Sequence, residues 1–116
     1  MCGIVAVTGY KNALPLLVAG LEKLEYRGYD SAGIAIIDSE NKKIISHKSE
    51  GKLKNLKNKL DKKIISGSLG IGHTRWATHG KPVLRNAHPH FDSKEQVAVV
   101  QNGIIENYLE LKTKLE

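Results

Sequence analysis

The only cysteine of the chain, Cys2, is set directly against a strand-like apolar run, Ile4-Val5-Ala6-Val7. Branched residues in so short a run favour an extended strand, and Gly9 ends it, so Cys2 to Thr8 reads as a buried strand with the cysteine held at its head. If Met1 is trimmed, Cys2 becomes the N-terminus. A terminal cysteine then carries nucleophile and base on one residue, because a free α-amine with a pKa of about 7.7 to 8.0 can take the thiol proton near neutrality. The plainer reading is a small hydrophobe at the start of a core strand.

Downstream, Asn12 offers a helix cap, and Leu14, Leu17, Val18, Leu21 and Leu24 follow at helical spacing, with Pro15 tolerated in the first turn. Gly33 to Asp38 and Lys43 to Lys48 are rich in isoleucine and flank the turn-forming Asp38-Ser39-Glu40-Asn41, which predicts a hairpin. Leu53, Leu56 and Leu60 fall at i, i+3 and i+7, one buried face of a helix whose other faces carry lysine. Ser68 to Thr74 and Val97 to Gln101 predict two more core strands. Between them lies a long, weakly periodic segment of the kind that serves a site. Ile104, Tyr108, Leu111 and Leu115 trace one face of a last helix, and the end at Glu116, with no glycine cap or breaker, reads as a cut. No repeat or linker divides the chain, which predicts one α+β unit.

With 116 residues and 41% hydrophobic content the chain has material for a core. No apolar run reaches the length of a membrane span, and a lone cysteine, with no basic-then-apolar leader, fits a reducing cytoplasm. The net charge of +6 is local: Lys42 to Lys63 holds nine lysines against Glu50 and Asp61, leaving the rest of the chain near −1. That stretch has no aromatic residue on which a base could stack, so a solvated helix is the expectation and nucleic acid is not an expected partner.

Chemistry-bearing residues gather in four clusters: Tyr26 to Gly33, His73 to Gly80, Asn86 to His90, and Gln101-Asn102-Gly103. Thiolate attack on an amide needs a sulfur, donors for the oxyanion and groups that grip the rest of the substrate. Asn102 with the N–H of Gly103 could supply the donors, although Asn-Gly is also a common turn. Arg75 could clamp a carboxylate through paired hydrogen bonds, although Arg75 and Arg27 could equally be structural ion pairs. Trp76 reads as a packed aromatic or as a lid. The histidines match no metal-site spacing, so no metal and no cofactor are expected, and Gly70-Ile71-Gly72 reads as strand glycines and not as a phosphate loop.

Met1-Cys2-Gly3-Ile4, Leu24 to Gly33, Gly72 to Gly80 and Asn102 to Asn107 together, in this order, resemble the glutaminase domain of the class II glutamine amidotransferases, in particular the glutamine–fructose-6-phosphate aminotransferase branch. The resemblance covers essentially all of residues 1–116 and implies part of an N-terminal-nucleophile hydrolase domain. That fold is a four-layer αββα sandwich of two antiparallel sheets between helices. It further implies that Cys2 attacks the side-chain amide of glutamine, giving a glutamyl thioester and ammonia. Asn102 and Gly103 would form the oxyanion hole, Arg75 would bind the α-carboxylate, and Thr78 and His79 would line the same pocket. Trp76 would gate the ammonia path, Arg27 and Gly28 would shape the wall beside Cys2, and His88 would lie near the site. Gln101 departs from the histidine usual before Asn-Gly.

The implied partners are glutamine and, through sugar isomerase domains outside this chain, fructose 6-phosphate, in a homodimer. The remainder of the glutaminase domain, with its acidic grip on the substrate α-amine, would also lie outside, so little activity is expected of this piece alone. Other amidotransferases, of purine, asparagine or glutamate synthesis, share the cysteine and the Asn-Gly pair. The alternative from another class is an inactive basic binding module.

Overall fold

The computed structural model describes residues 2–116. β1 (Gly3–Val7) leads into α1 (Ala13–Leu24), where the side chain of Asn12 accepts the N–H of Leu14 at 3.3 Å and caps the helix. A 3-10 turn, Glu25–Arg27, then delivers the chain to β2 (Ser31–Ile37), which turns back as β3 (Ile44–Glu50). Within that turn the carboxylate of Asp38 accepts the N–H of Asn41 at 3.0 Å, so the polar cluster closes the hairpin by its own side chains. α2 (Leu53–Leu60) and β4 (Gly70–Arg75) complete the main body.

The four strands form one antiparallel sheet in the order β1-β4-β2-β3. Because side chains alternate across a strand, the sheet has two different faces. Val5 and Val7 of β1 and Ala32, Ile34 and Ile36 of β2 pack under α1 and α2 with Leu17, Leu21, Leu53, Leu56 and Leu60. Gly70 and Gly72 of β4 lie on this face too, and a Cβ at Gly70 would come within 2.7 Å of Leu17, so α1 sits directly on the strand. Leu17, Leu21 and Leu56 are fully buried, each contributing about 1.5–3 kcal/mol of transfer free energy.

The residues between them point the other way. His73 and Arg75 of β4, Gly33 of β2 and Lys48 of β3 share the face turned from the helices, with Gly33 paired to both His73 and Lys48. The segment around His88 crosses this face so closely that a Cβ on Gly33 would lie 2.0 Å from the His88 carbonyl oxygen. Lys48 donates to the carbonyls of Ala87 at 2.8 Å and Pro89 at 3.4 Å and ties the crossing down. Beyond it, β5 (His90–Phe91) and β6 (Ala98–Val99) form a small second sheet.

Three expectations need correction. β1 is half-buried and not buried throughout, since Ile4 keeps 40% of its surface exposed. Val97 to Gln101 does not form a core strand: only Ala98–Val99 pairs, and only with β5. The cause is Asp92, whose Oδ1 accepts the N–H groups of Gln96 at 2.7 Å and Val97 at 2.8 Å and folds the run back on its neighbour. The last helix, α3, spans Tyr108–Leu115 and leaves Ile104 outside it, with no side chain of the helix buried. The main helix, the hairpin, the lysine-bearing helix and β4 lie where the periodicity places them, and the architecture is the expected α+β one.

Candidate active site

β1 and β4 pair with Gly3 opposite Thr74, which brings Cys2 to the end of β4 and the turn that follows it. The Cys2 Sγ accepts the N–H of Trp76 at 3.4 Å, and its thiol reaches the Trp76 carbonyl at 3.7 Å. The sulfur is thus held by backbone, independently of the rotamer of any neighbour. Nδ2 of Asn102 donates to the Cys2 carbonyl at 3.3 Å, so the Asn-Gly segment meets the cysteine from its other side. Gly103 follows with φ +129°, a backbone region open essentially only to glycine.

Arg75 is almost fully buried. Its NH1 donates to the Lys81 carbonyl at 3.0 Å and its NH2 to the His79 carbonyl at 2.6 Å, so part of the fork braces the loop after β4. Asp30 lies 3.8 Å from NH1 as counter-ion and also accepts the N–H of Ala77 and, at 3.0 Å, the hydroxyl of Ser31. The expected ion pair is therefore present, and the remaining donors of the guanidinium are unused by these contacts. Gly28 abuts this residue: a Cβ there would stand 2.6 Å from the Arg75 carbonyl carbon.

A cavity of about 420 Å³ opens beside Cys2. Of the residues expected at a site, it is lined by Cys2, Arg75, Trp76, Thr78, His79, His88 and Gly103. Arg27, Gly28 and Asn102 do not line it. Arg27 turns instead to Tyr26, donating to its hydroxyl at 3.0 Å, while Gly28 and Asn102 act from behind through Arg75 and Cys2. Trp76 is 42% exposed and stacks edge-on against Tyr29 at 5.0 Å, so it is packed on one side and forms cavity wall on the other. Among the described residues no cluster with metal-holding geometry occurs.

Several contributors, some of them inside the clusters singled out in the sequence, were given no role there. Asn86, His90, Ile104 and Tyr108 also line the cavity, and Tyr108 meets the ring of His79 at 5.3 Å. His73, fully buried, bonds Asn102 Oδ1 through Nε2 at 2.9 Å and stacks on His88 at 4.1 Å. His88 in turn lies 4.4 Å from His90, and its Nδ1 accepts the N–H of Gln101 at 3.3 Å. Burial pushes His73, His88 and His90 below the ordinary histidine range, His88 to about 3, and each is further lowered by neighbouring positive groups. His73 and His88 stack, and His90 tilts against His88 at 59°. For His73 and Asp30 the only available signal was alternation: His73 shares the strand face of Arg75, and Asp30 sits two residues from Gly28 in a cluster already conspicuous.

A strand-end cysteine gripped by backbone, an Asn-Gly pair at its carbonyl and a buried arginine on the adjoining strand, in this α+β architecture, form an arrangement similar to that of one class, the N-terminal-nucleophile glutamine amidotransferases. Over its full length the chain is homologous to the N-terminal region of glutamine–fructose-6-phosphate aminotransferases. The curated relatives so named include those of Bacteroides thetaiotaomicron, 55% identical over 116 residues, and of Synechocystis and Aquifex aeolicus, each 58% identical over 116 residues. All of the chain is covered in each, but only 19%, 18% and 19% of the relative, so the chain spans about a fifth of their length. Among solved structures it resembles the glutamine phosphoribosylpyrophosphate amidotransferase of B. subtilis complexed with ADP and GMP, with TM-score 0.79, 31% identity, and 99% of this chain and 24% of that one covered. It also resembles an allosteric regulatory enzyme of purine biosynthesis, with TM-score 0.82, 31% identity and coverages of 99% and 25%. No protein-family model matches the chain.

Proposed function

We propose that this chain is the N-terminal part of a glutaminase domain in which Cys2, freed by removal of Met1, hydrolyses the side-chain amide of glutamine. The observation that carries the reading is the placement of Cys2 Sγ, 3.4 Å from the Trp76 N–H and at the rim of a cavity walled by Arg75. The α-amine takes the thiol proton, and the sulfur attacks the amide carbon, placing negative charge on its oxygen. The second Nδ2 hydrogen of Asn102 and the N–H of Gly103 receive that charge. Collapse expels ammonia, which leaves with the proton held by the amine, and a γ-glutamyl thioester remains. Water then attacks the thioester, restoring the thiol and releasing glutamate. Arg75 takes the α-carboxylate through its remaining donors, with Thr78 and His79 in the same cavity and His88 in its wall. Gly28 shapes the backbone behind Arg75, and Trp76 closes the side toward Tyr29.

In the complete protein the ammonia would convert fructose 6-phosphate to glucosamine 6-phosphate on sugar isomerase domains, in a cytoplasmic homodimer. Sequence identities of 55–58% to aminotransferases of that name, against 31% to the phosphoribosylpyrophosphate enzyme, favour this acceptor over a purine precursor. The test is glutamate release by the full-length protein and by its Cys2→Ala and Met1-retaining forms. Both changes are expected to abolish release. Undiminished hydrolysis in either would overturn the terminal-nucleophile mechanism.

A further inference from the structure

His73 performs no step of the hydrolysis described above, yet it is fully enclosed on the face of β4 that carries Arg75. Its Nε2 lies 2.9 Å from Oδ1 of Asn102, whose Nδ2 is directed at the Cys2 carbonyl. Its Nδ1 is buried and has no hydrogen-bond partner among the described residues. These contacts determine where the ring proton sits. A proton on Nδ1 would be a buried donor without an acceptor and would set the Nε2 lone pair against the lone pairs of Oδ1. A proton on Nε2 makes the observed bond. The stack on His88 at 4.1 Å fixes the plane in which the ring lies.

We infer that His73 is a positioning residue that locks the Asn102 side chain with its oxygen inward and its N–H groups toward Cys2. The two ends of an asparagine amide have almost the same shape, so packing alone discriminates poorly between them, whereas an N–H donor accepts only the oxygen end. A reversed amide would present Oδ1 to the developing oxyanion and repel it. The inference rests on the glutaminase reading, because only an oxyanion beside Cys2 makes the direction of this amide matter.

The test uses the full-length protein with His73→Ala, His73→Gln and His73→Asn. The terminal nitrogen of glutamine extends about as far as Nε2 of histidine, and that of asparagine only as far as Nδ1. His73→Ala and His73→Asn should lower kcat for glutamate release by about tenfold or more with little change in KM, since losing an oxyanion donor outright costs about 10²–10³. His73→Gln should recover most of it. Because His73→Ala opens a buried cavity, nitrogen NMR of the histidine-labelled wild-type protein reads the ring directly, with protonated Nε2 and bare Nδ1 expected. Equal activity of the Gln and Asn forms, a rise in KM at unchanged kcat, or a protonated Nδ1 would each overturn the positioning role while Cys2-dependent hydrolysis stood. Wild-type protein whose glutamate release ignores Cys2→Ala would instead remove the glutaminase reading, and this role with it.

Discussion

Gly103 stands at φ +129° beside Cys2, where any side chain forces the backbone to move and a Cβ would meet Gln101 Nε2 at 2.9 Å. Gly103→Ala is therefore expected to turn its N–H from the oxyanion and lower kcat about 10²–10³-fold with circular dichroism unchanged. Activity near wild type would show that this N–H is not a donor in the reaction. That Cys2, Asn102 and Gly103 belong together was legible in the sequence, because a thiol and an Asn-Gly pair are distinctive in their own residue types. The partners of Arg75 were not. Whether a guanidinium faces a substrate, Asp30 or two loop carbonyls depends on where residues 79 and 81 fold back, and no local pattern encodes that return. His73 was hidden for the same reason, its partner lying 29 residues further along the chain.

Among the elements, α1 was readable to the residue at its cap because Asn12 and the leucine spacing are both local signals. Its contact with β4 is tight, Leu21 lying 3.2 Å from where a Cβ on Gly72 would stand. Leu21→Ala should destabilise the folded protein by about 2–5 kcal/mol in denaturant titration, because the backbone of β4 cannot follow into the space left. A change at exposed Lys23 on the same helix should leave the midpoint near wild type, and equal effects would contradict this account of the interface. Val97 to Gln101 misled because its apolar, branched composition is that of a core strand. What decided its place was Asp92, an upstream side chain that binds two backbone donors and so outweighs composition. The α3 face was read correctly as apolar but started four residues early, since Ile104 fits the helical spacing while lying outside the helix.

At the scale of the whole molecule, the far face of the sheet carries a cluster of three histidines beside Lys48. His88 is held to a pKa of about 3, mainly by burial, against 6.5 in the unfolded chain. Between those values the unfolded state binds the extra proton, so stability falls as pH drops from about 6.5 toward 3, and burial of His73 and His90 acts in the same direction. The thermal midpoint of the wild-type protein should decline across this window more steeply than that of His88→Gln. Parallel curves would show that His88 is not the group responsible. The antiparallel architecture was legible as a set of elements, while the order β1-β4-β2-β3 was not, because it joins strands remote in the chain. That order has a consequence in time. The cysteine is held by partners 74 and 100 residues further on, which at ribosomal speeds of about 5–20 residues per second emerge roughly 4 to 20 s later. For those seconds Cys2 lacks the Trp76 and Asn102 contacts that hold it, so the pocket around the sulfur is the last part of this sheet edge to be assembled.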